Sequence, residues 1–203
     1  GWRVSNAMEI EMWTSALPFL PVTALTLAAA VAATGQQWRP RTSALFAEIA
    51  ALIAFFGSAA IAWQLSQQGS FTTPLVGFGG IGLSVRVDMV SVIMLLLVTF
   101  IGWVVVRYSA TYLDGERRQG RFTALLCATL ACVLMVVSAG NLFQLAVAWI
   151  ATSLFLHNLL LFYPERIAAQ RAARKKFVAA RIGDLSLLVA AGVLAYGYAT
   201  TDI

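Results

Sequence analysis

Apolar residues run through this chain in long blocks, broken by short polar or glycine-rich intervals. A helix crossing the hydrocarbon core of a bilayer needs about 20 mostly apolar residues. Six stretches meet or approach that length: 13–34, 44–65, 89–110, 122–138, 141–163 and 177–198. The pattern predicts an all-α integral membrane fold, a single transmembrane domain over 1–203 with about six transmembrane helices. One interval has a different period. In SQQGSFTTPLVGFGGIGLSVRVD (66–88), Leu83, Val85 and Val87 alternate with Ser84, Arg86 and Asp88, and Gly69 and Pro74 punctuate the run. Alternation is strand periodicity, so a short β-hairpin is expected between the second and third helices.

Composition supports the membrane assignment. Hydrophobic residues make up 60% of the chain and charged residues 11%, against about 45–50% and about 25% in soluble domains. That is too little polar surface to cover a water-soluble globule. The net charge of +5 does not argue for nucleic acid here; what matters is where the bases lie. Arg39, Arg41, Arg107, Arg117, Arg118, Arg121, Arg166, Arg171, Arg174, Lys175, Lys176 and Arg181, twelve of the fourteen Lys and Arg residues, fall in or beside alternate loops. The positive-inside rule then puts loops 35–43, 111–121 and 164–176 in the cytoplasm, with the hairpin and both ends of the chain outside. The expected location is a bacterial plasma (inner) membrane.

Cys127 and Cys132 share one apolar run. On a helix they stand about 7.5 Å apart along the axis and on different faces, so they are expected to pack rather than bridge. Gly77, Gly79 and Gly82 satisfy G-x-G-x-x-G. The dinucleotide fingerprint needs a strand before the glycines and a helix opening at them; here the glycines precede a strand. No cofactor is expected, and no metal site.

An ionisable residue at mid-membrane carries an insertion cost of about 2.5–3.5 kcal/mol, so each one asks for a reason. Glu48 lies near the start of the second span and reads either as an interfacial carboxylate paired with Arg41 or Arg39, or as a member of a buried ionic chain. His157, the one histidine, lies about 9 Å inside its helix end; it reads either as a neutral imidazole bonded across a helix interface or as a proton relay. Asp184 is the deepest carboxylate. Arg181, three residues earlier, shares its face and pairs with it. Lys175 and Lys176 precede them, so KKFVAARIGD leads ionisable groups from the surface into the membrane. Asp88 is expected to cap the third helix.

Several motifs together resemble a known family. VDMVSVIMLLLVTFIGWVVVRYSATYLDGE (87–116), RFTALL (121–126), Trp149 of the fifth span and AARKKFVAARIGDLSLL (172–188) occur in the order found in the antiporter-like membrane subunits of NADH-quinone oxidoreductase, chain 5 type, and of multi-subunit sodium/proton antiporters. That family usually places a glutamate directly after the fifth-helix tryptophan; here the position holds Ile150, with His157 seven residues on. WIATSLFLHNLLLFYPER followed by AARKKF is similar to the membrane subunit of two-component inorganic-carbon transporters. The resemblance implies a proton- or sodium-conducting subunit of a bicarbonate/CO2 uptake complex. It implies as partner a large peripheral zinc-containing subunit related to carbonic anhydrases. His157 and Asp184 are then the relay, Arg181 and Lys176 tune the acid, Thr152 and Ser153 hold water or hydroxyl links, and Glu48 is a further member. It also implies that these residues are the N-terminal part of a longer subunit. Two alternatives stay open: a chain 5 type subunit working among other membrane subunits of a respiratory or antiporter complex, and a non-transporting scaffold.

Overall fold

The computed structural model describes residues 16–34, 40–78, 81–116, 118–162 and 167–198. A 3-10 turn, Leu17–Phe19, leads into α1, Leu20–Thr34; Pro18 stands in the first helical positions, where a missing N–H costs nothing. Then come α2, Pro40–Gln68, four short strands, α3, Met89–Tyr112, α4, Gln119–Val137, α5, Leu142–Leu160, and α6, Ile167–Tyr198. Among the described residues six helices are long and apolar enough to cross a membrane. Residues 13–15 of the first expected span lie outside the described residues.

Helix α2 starts at Pro40 rather than 44 and α4 at Gln119 rather than 122, and the largest departure from expectation is in α6. Residues 167–176, expected as loop, form the first turns of α6. The run IAAQRAARKK is built of alanines and straight-chain bases, strong helix formers that carry a helix beyond the lipid. An apolar-length criterion sees only the lipid-embedded part.

Helix α4 is the hub: it packs against α1, α2, α3 and α5, while α6 packs chiefly on α5. Side-chain size decides which face of each helix turns inward. On α2, Ala47, Ala50, Ala51, Ala54 and Ser58 are buried, while Leu45, Phe46, Ile49, Ile53, Phe56 and Trp63 are exposed. Lipid is as apolar as leucine, so helices associate through close backbone approach at small residues. Gly102 of α3 works the same way: a Cβ there would sit 3.0 Å from the Leu130 side chain of α4.

The opposite end of the bundle from the 111–121 loop holds the expected hairpin. Strand β1, Phe71–Thr72, pairs antiparallel with β4, Arg86–Val87, and β2, Val76–Phe78, pairs antiparallel with β3, Ile81–Leu83. Between the two ladders, Thr73 N donates to Val85 O at 2.9 Å and Val85 N donates to Thr73 Oγ1 at 2.8 Å. Gly77 and Gly82 face each other across a ladder, and no helix opens at them; Gly79 lies outside the described residues.

This hairpin is bolted to the start of α5. Asn141 caps α5 by accepting from Gln144 N at 2.7 Å. Its Nδ2 donates to Gly82 O at 2.9 Å and to Ser84 Oγ at 3.2 Å. Gln144 Oε1 accepts from Ser84 N at 2.9 Å, and Gly140 N donates to Ser84 O at 2.9 Å. Asp88, as expected, caps α3: its Oδ1 accepts from Ser91 N at 2.8 Å, and Ser91 Oγ accepts from Asp88 N at 2.9 Å, a reciprocal capping box. Cys127 and Cys132 are both free thiols.

Candidate ion-relay site

Helix α6 turns its polar stripe inward. Ala173 and Asp184 are its buried residues, with Lys176, Phe177, Ala180 and Arg181 half-buried, while Val178, Ile182, Leu185, Val189 and Val193 are exposed. The spacing 173, 176/177, 180/181, 184 is one face of a helix. That face lies on α5, so Lys176, Arg181 and Asp184 turn toward it, while Arg171, Arg174 and Lys175 at the basic end stay exposed.

Asp184 is 4% exposed. Arg181 Nη2 lies 2.6 Å from its Oδ2, the ion pair expected from their spacing. The other carboxylate oxygen of Asp184, Oδ1, is buried with no hydrogen-bond partner among the described residues. Arg181 Nη2 also donates to Ser153 Oγ of α5 at 3.3 Å. One turn nearer the basic end, Lys176 Nζ donates to the Ser153 carbonyl at 3.0 Å. Ser153 thus receives two cations, one on its hydroxyl and one on its backbone.

His157 stands one turn further along α5. Its ring lies 4.9 Å from that of Phe177, tilted by 45°, and the Arg181 guanidinium carbon lies 5.0 Å from the same Phe177 ring. His157 Nδ1 and Arg181 Nε are buried without hydrogen-bond partners among the described residues. A buried polar atom left unpaired costs free energy, and the usual remedy is an ordered water. Three such atoms along one helix interface, His157 Nδ1, Arg181 Nε and Asp184 Oδ1, therefore mark a stripe able to take water or a proton. The structure brings His157, Ser153, Lys176, Arg181 and Asp184 to this one interface.

Two expected members stand apart. The Thr152 hydroxyl donates to the Ala148 carbonyl of its own helix at 2.8 Å, which holds the β-branched side chain against its own backbone and off the stripe. Glu48 lies on α2 and pairs with Arg107 of α3 at 3.5 Å. The proposed partner Arg39, and the side chain of Arg41, lie outside the described residues. Ile150, half-buried on α5, brings no titratable atom to the site.

Beyond Asp184, toward the hairpin end, a cleft of about 500 Å³ is lined by Val136, Leu145, Trp149, Gly183, Ser186 and Leu187. The Ser186 hydroxyl, the sole side-chain hydroxyl in that lining, donates to Ile182 O at 3.0 Å. The polar stripe opens toward the basic end and stops at Asp184. Sequence reasoning missed Phe177, whose signal is its placement four residues before an arginine, where an aromatic face meets a guanidinium on a helix. It also missed Asn141 and Gln144, two amides at the head of an apolar run.

The described residues thus form a multi-pass bundle of six apolar helices, with ionisable side chains at the contact between α5 and α6. Comparison with known proteins agrees. The family model for the N-terminus of NADH-ubiquinone oxidoreductase (complex I) chain 5 matches residues 76–123. The chain is 44% identical over 117 residues to a probable inorganic carbon transporter subunit DabB of Hydrogenovibrio crunogenus, covering 57% of this chain and 23% of that protein. It is 43% identical over 118 residues to the probable subunit DabB2 of Halothiobacillus neapolitanus, covering 58% and 21%. With NADH-quinone oxidoreductase subunit L of Escherichia coli it shares 32% over 131 residues, 64% of this chain and 21% of the relative. The chain thus spans under a quarter of the length of these curated relatives. Among solved structures, the fold matches a chain of the Mrp complex from Dietzia (TM-score 0.77, 21% identity, 91% of this chain and 20% of that one). It also matches a chain of an archaeal membrane-bound sulfane sulfur reductase (TM-score 0.73, 18% identity, 91% and 38%). The resemblance drawn from the motifs is matched by these findings: residues 76–123 fit the model for a chain 5 N-terminus, and the fold is like that of chains in two multi-subunit membrane complexes.

Proposed function

We propose that this chain is part of a proton- or sodium-conducting membrane subunit of an energy-coupled inorganic-carbon uptake complex in a bacterial inner membrane. The 35–43 and 111–121 loops and the basic start of α6 face the cytoplasm and dock a large peripheral, zinc-containing, carbonic-anhydrase-like partner. The observation that carries the reading is the covered stripe on α5 and α6: a nearly enclosed carboxylate, Asp184, held by Arg181, with Lys176 and His157 leading to it. Enclosed ionisable groups in a membrane helix mark ion routes. Imidazole is able to change charge near neutral pH, so His157 passes a proton from the basic end to Asp184, which Arg181 holds in place. The higher identities to inorganic-carbon transporter subunits favour this substrate, as does Ile150 at the position where chain 5 subunits usually carry glutamate.

A second reading, a chain 5 type subunit of an oxidoreductase or multi-subunit cation/proton antiporter, is favoured by the family match itself. The test is bicarbonate-dependent growth at ambient CO2 of cells lacking carbonic anhydrase, carrying the complete complex. The wild type is expected to rescue, and His157→Ala and Asp184→Asn are expected to lose rescue. Rescue by both variants at wild-type level refutes the relay. Failure of the wild type, with intact assembly, refutes the inorganic-carbon reading.

A further inference from the structure

We propose that Phe177 is the gate of the α5–α6 stripe, an inference that rests on the relay reading. Its ring stands between two members of the polar interface, 4.9 Å from the His157 ring and 5.0 Å from the Arg181 guanidinium carbon. On one side of it His157 Nδ1 is buried and unpaired; on the other, Arg181 Nε and Asp184 Oδ1 are buried and lack hydrogen bonds among the described residues. Water that satisfies the first group and water that satisfies the second are kept in separate files by the ring.

The same ring couples the two sides. A guanidinium within about 6 Å of a ring centroid is attracted to its π-face, so Phe177 helps hold Arg181 over Asp184. When His157 takes up a proton, a second cation arrives at a ring that already carries one, and the two positive charges repel at short range. Arg181 is loosened from the ring and from Asp184, and the freed carboxylate accepts the proton that His157 gives up. Besides Arg181, α6 brings Lys176 to the Ser153 carbonyl one turn from His157 and Asp184 to Arg181. The stretch of α4 that packs on α5, 122–137, carries only the thiols Cys127 and Cys132 as titratable groups, and Arg118 and Arg121 at its end are exposed. Among the described residues, the charges at the gate come from α5 and α6 themselves.

The test uses the complete complex reconstituted in vesicles. Phe177→Ala opens the spacer, and passive proton leak is expected to rise about tenfold, the scale on which excluding water from a site matters. Phe177→Leu keeps the bulk and removes the π-face. Its leak is expected to stay low while the midpoint of the pH profile of driven uptake moves by about half a unit. Phe177→Tyr is expected to match the wild type. Assembly is checked by size-exclusion chromatography of each complex; if the alanine variant does not assemble, the pH profile of the leucine variant decides. Wild-type leak and an unmoved pH profile in the variants that assemble overturn the gate. The relay falls separately: if His157→Ala and Asp184→Asn drive uptake normally, the relay and its gate both fail. If those two are inactive while the Phe177 variants are indistinguishable from wild type, the gate alone fails.

Discussion

Asp88 joins the strand β4 to the helix α3, and its carboxylate does the joining. The Ser91 backbone N–H, then the Ser91 hydroxyl, and to a lesser degree Arg86, hold its pKa below the ordinary value of 3.8, against a smaller opposing effect of burial. A carboxyl whose folded pKa is depressed stabilises the fold above its unfolded pKa and loses that contribution as pH falls through the folded one. Asp88→Ala is expected to cost about 1 kcal/mol at neutral pH and to flatten the acid limb of the stability profile below about pH 4. Thermal unfolding in detergent from pH 3 to 7 checks both. Gly140 is constrained by its neighbour instead: a Cβ there would stand 2.4 Å from Ser84 Oγ and 3.0 Å from the Ser84 carbonyl. Gly140→Ala is expected to destabilise by about 1–3 kcal/mol, as overpacking does. Adding Ser84→Ala is expected to recover part of the loss, since the clash with the hydroxyl goes and that with the carbonyl stays. A double-mutant cycle on the same unfolding signal reads it.

At the scale of elements, the Glu48–Arg107 pair tests what separates α2 and α3 from the relay. The Arg107 side chain is 66% exposed, and exposed pairs contribute about 0–1 kcal/mol. Glu48→Gln is expected to leave uptake near the wild-type level, measured in the same growth assay in which Asp184→Asn fails. Elements also show what was legible in the sequence. The spans were, because bilayer thickness sets a length. The hairpin was, because alternation at Leu83–Asp88 has one structural meaning, and the Arg181–Asp184 pair was, because a spacing of three places both on one face. The facing of α2 was not: Ala54 and Phe56 are equally apolar by pattern, and only packing against α1 and α3 sorts them by size. The early start of α6 was hidden because bases after Ile167 look like a loop when only lipid-embedded length is counted. Phe177 was hidden in an apolar run, where an aromatic reads as lipid contact until its two polar neighbours are seen.

The whole molecule is lopsided in charge. The bases of the 111–121 loop and of the start of α6 gather at one end, and the hairpin, with Arg86 paired to Asp88 at 3.4 Å, sits at the other. In intact cells, with Cys127 and Cys132 replaced by alanine, Leu75→Cys is expected to react with an impermeant thiol reagent from outside. Arg118→Cys is expected to react only after the membrane is opened. The reverse pattern inverts the orientation.

Helix α6, with its charges folded against α5, carries a consequence for biogenesis. Arg181 and Asp184 each oppose partition into lipid by about 2.5–3.5 kcal/mol when the helix emerges alone. The outward-turned Val178, Ile182, Leu185 and Val189 offset part of that, and the mutual pairing offsets more. Ser153, which takes both Lys176 and Arg181, is already in place only if the fifth helix has gone in first and waits beside the translocon. Helices α5 and α6 are thus expected to enter as a hairpin, and a chain in which α5 fails to insert gives α6 nothing to settle on.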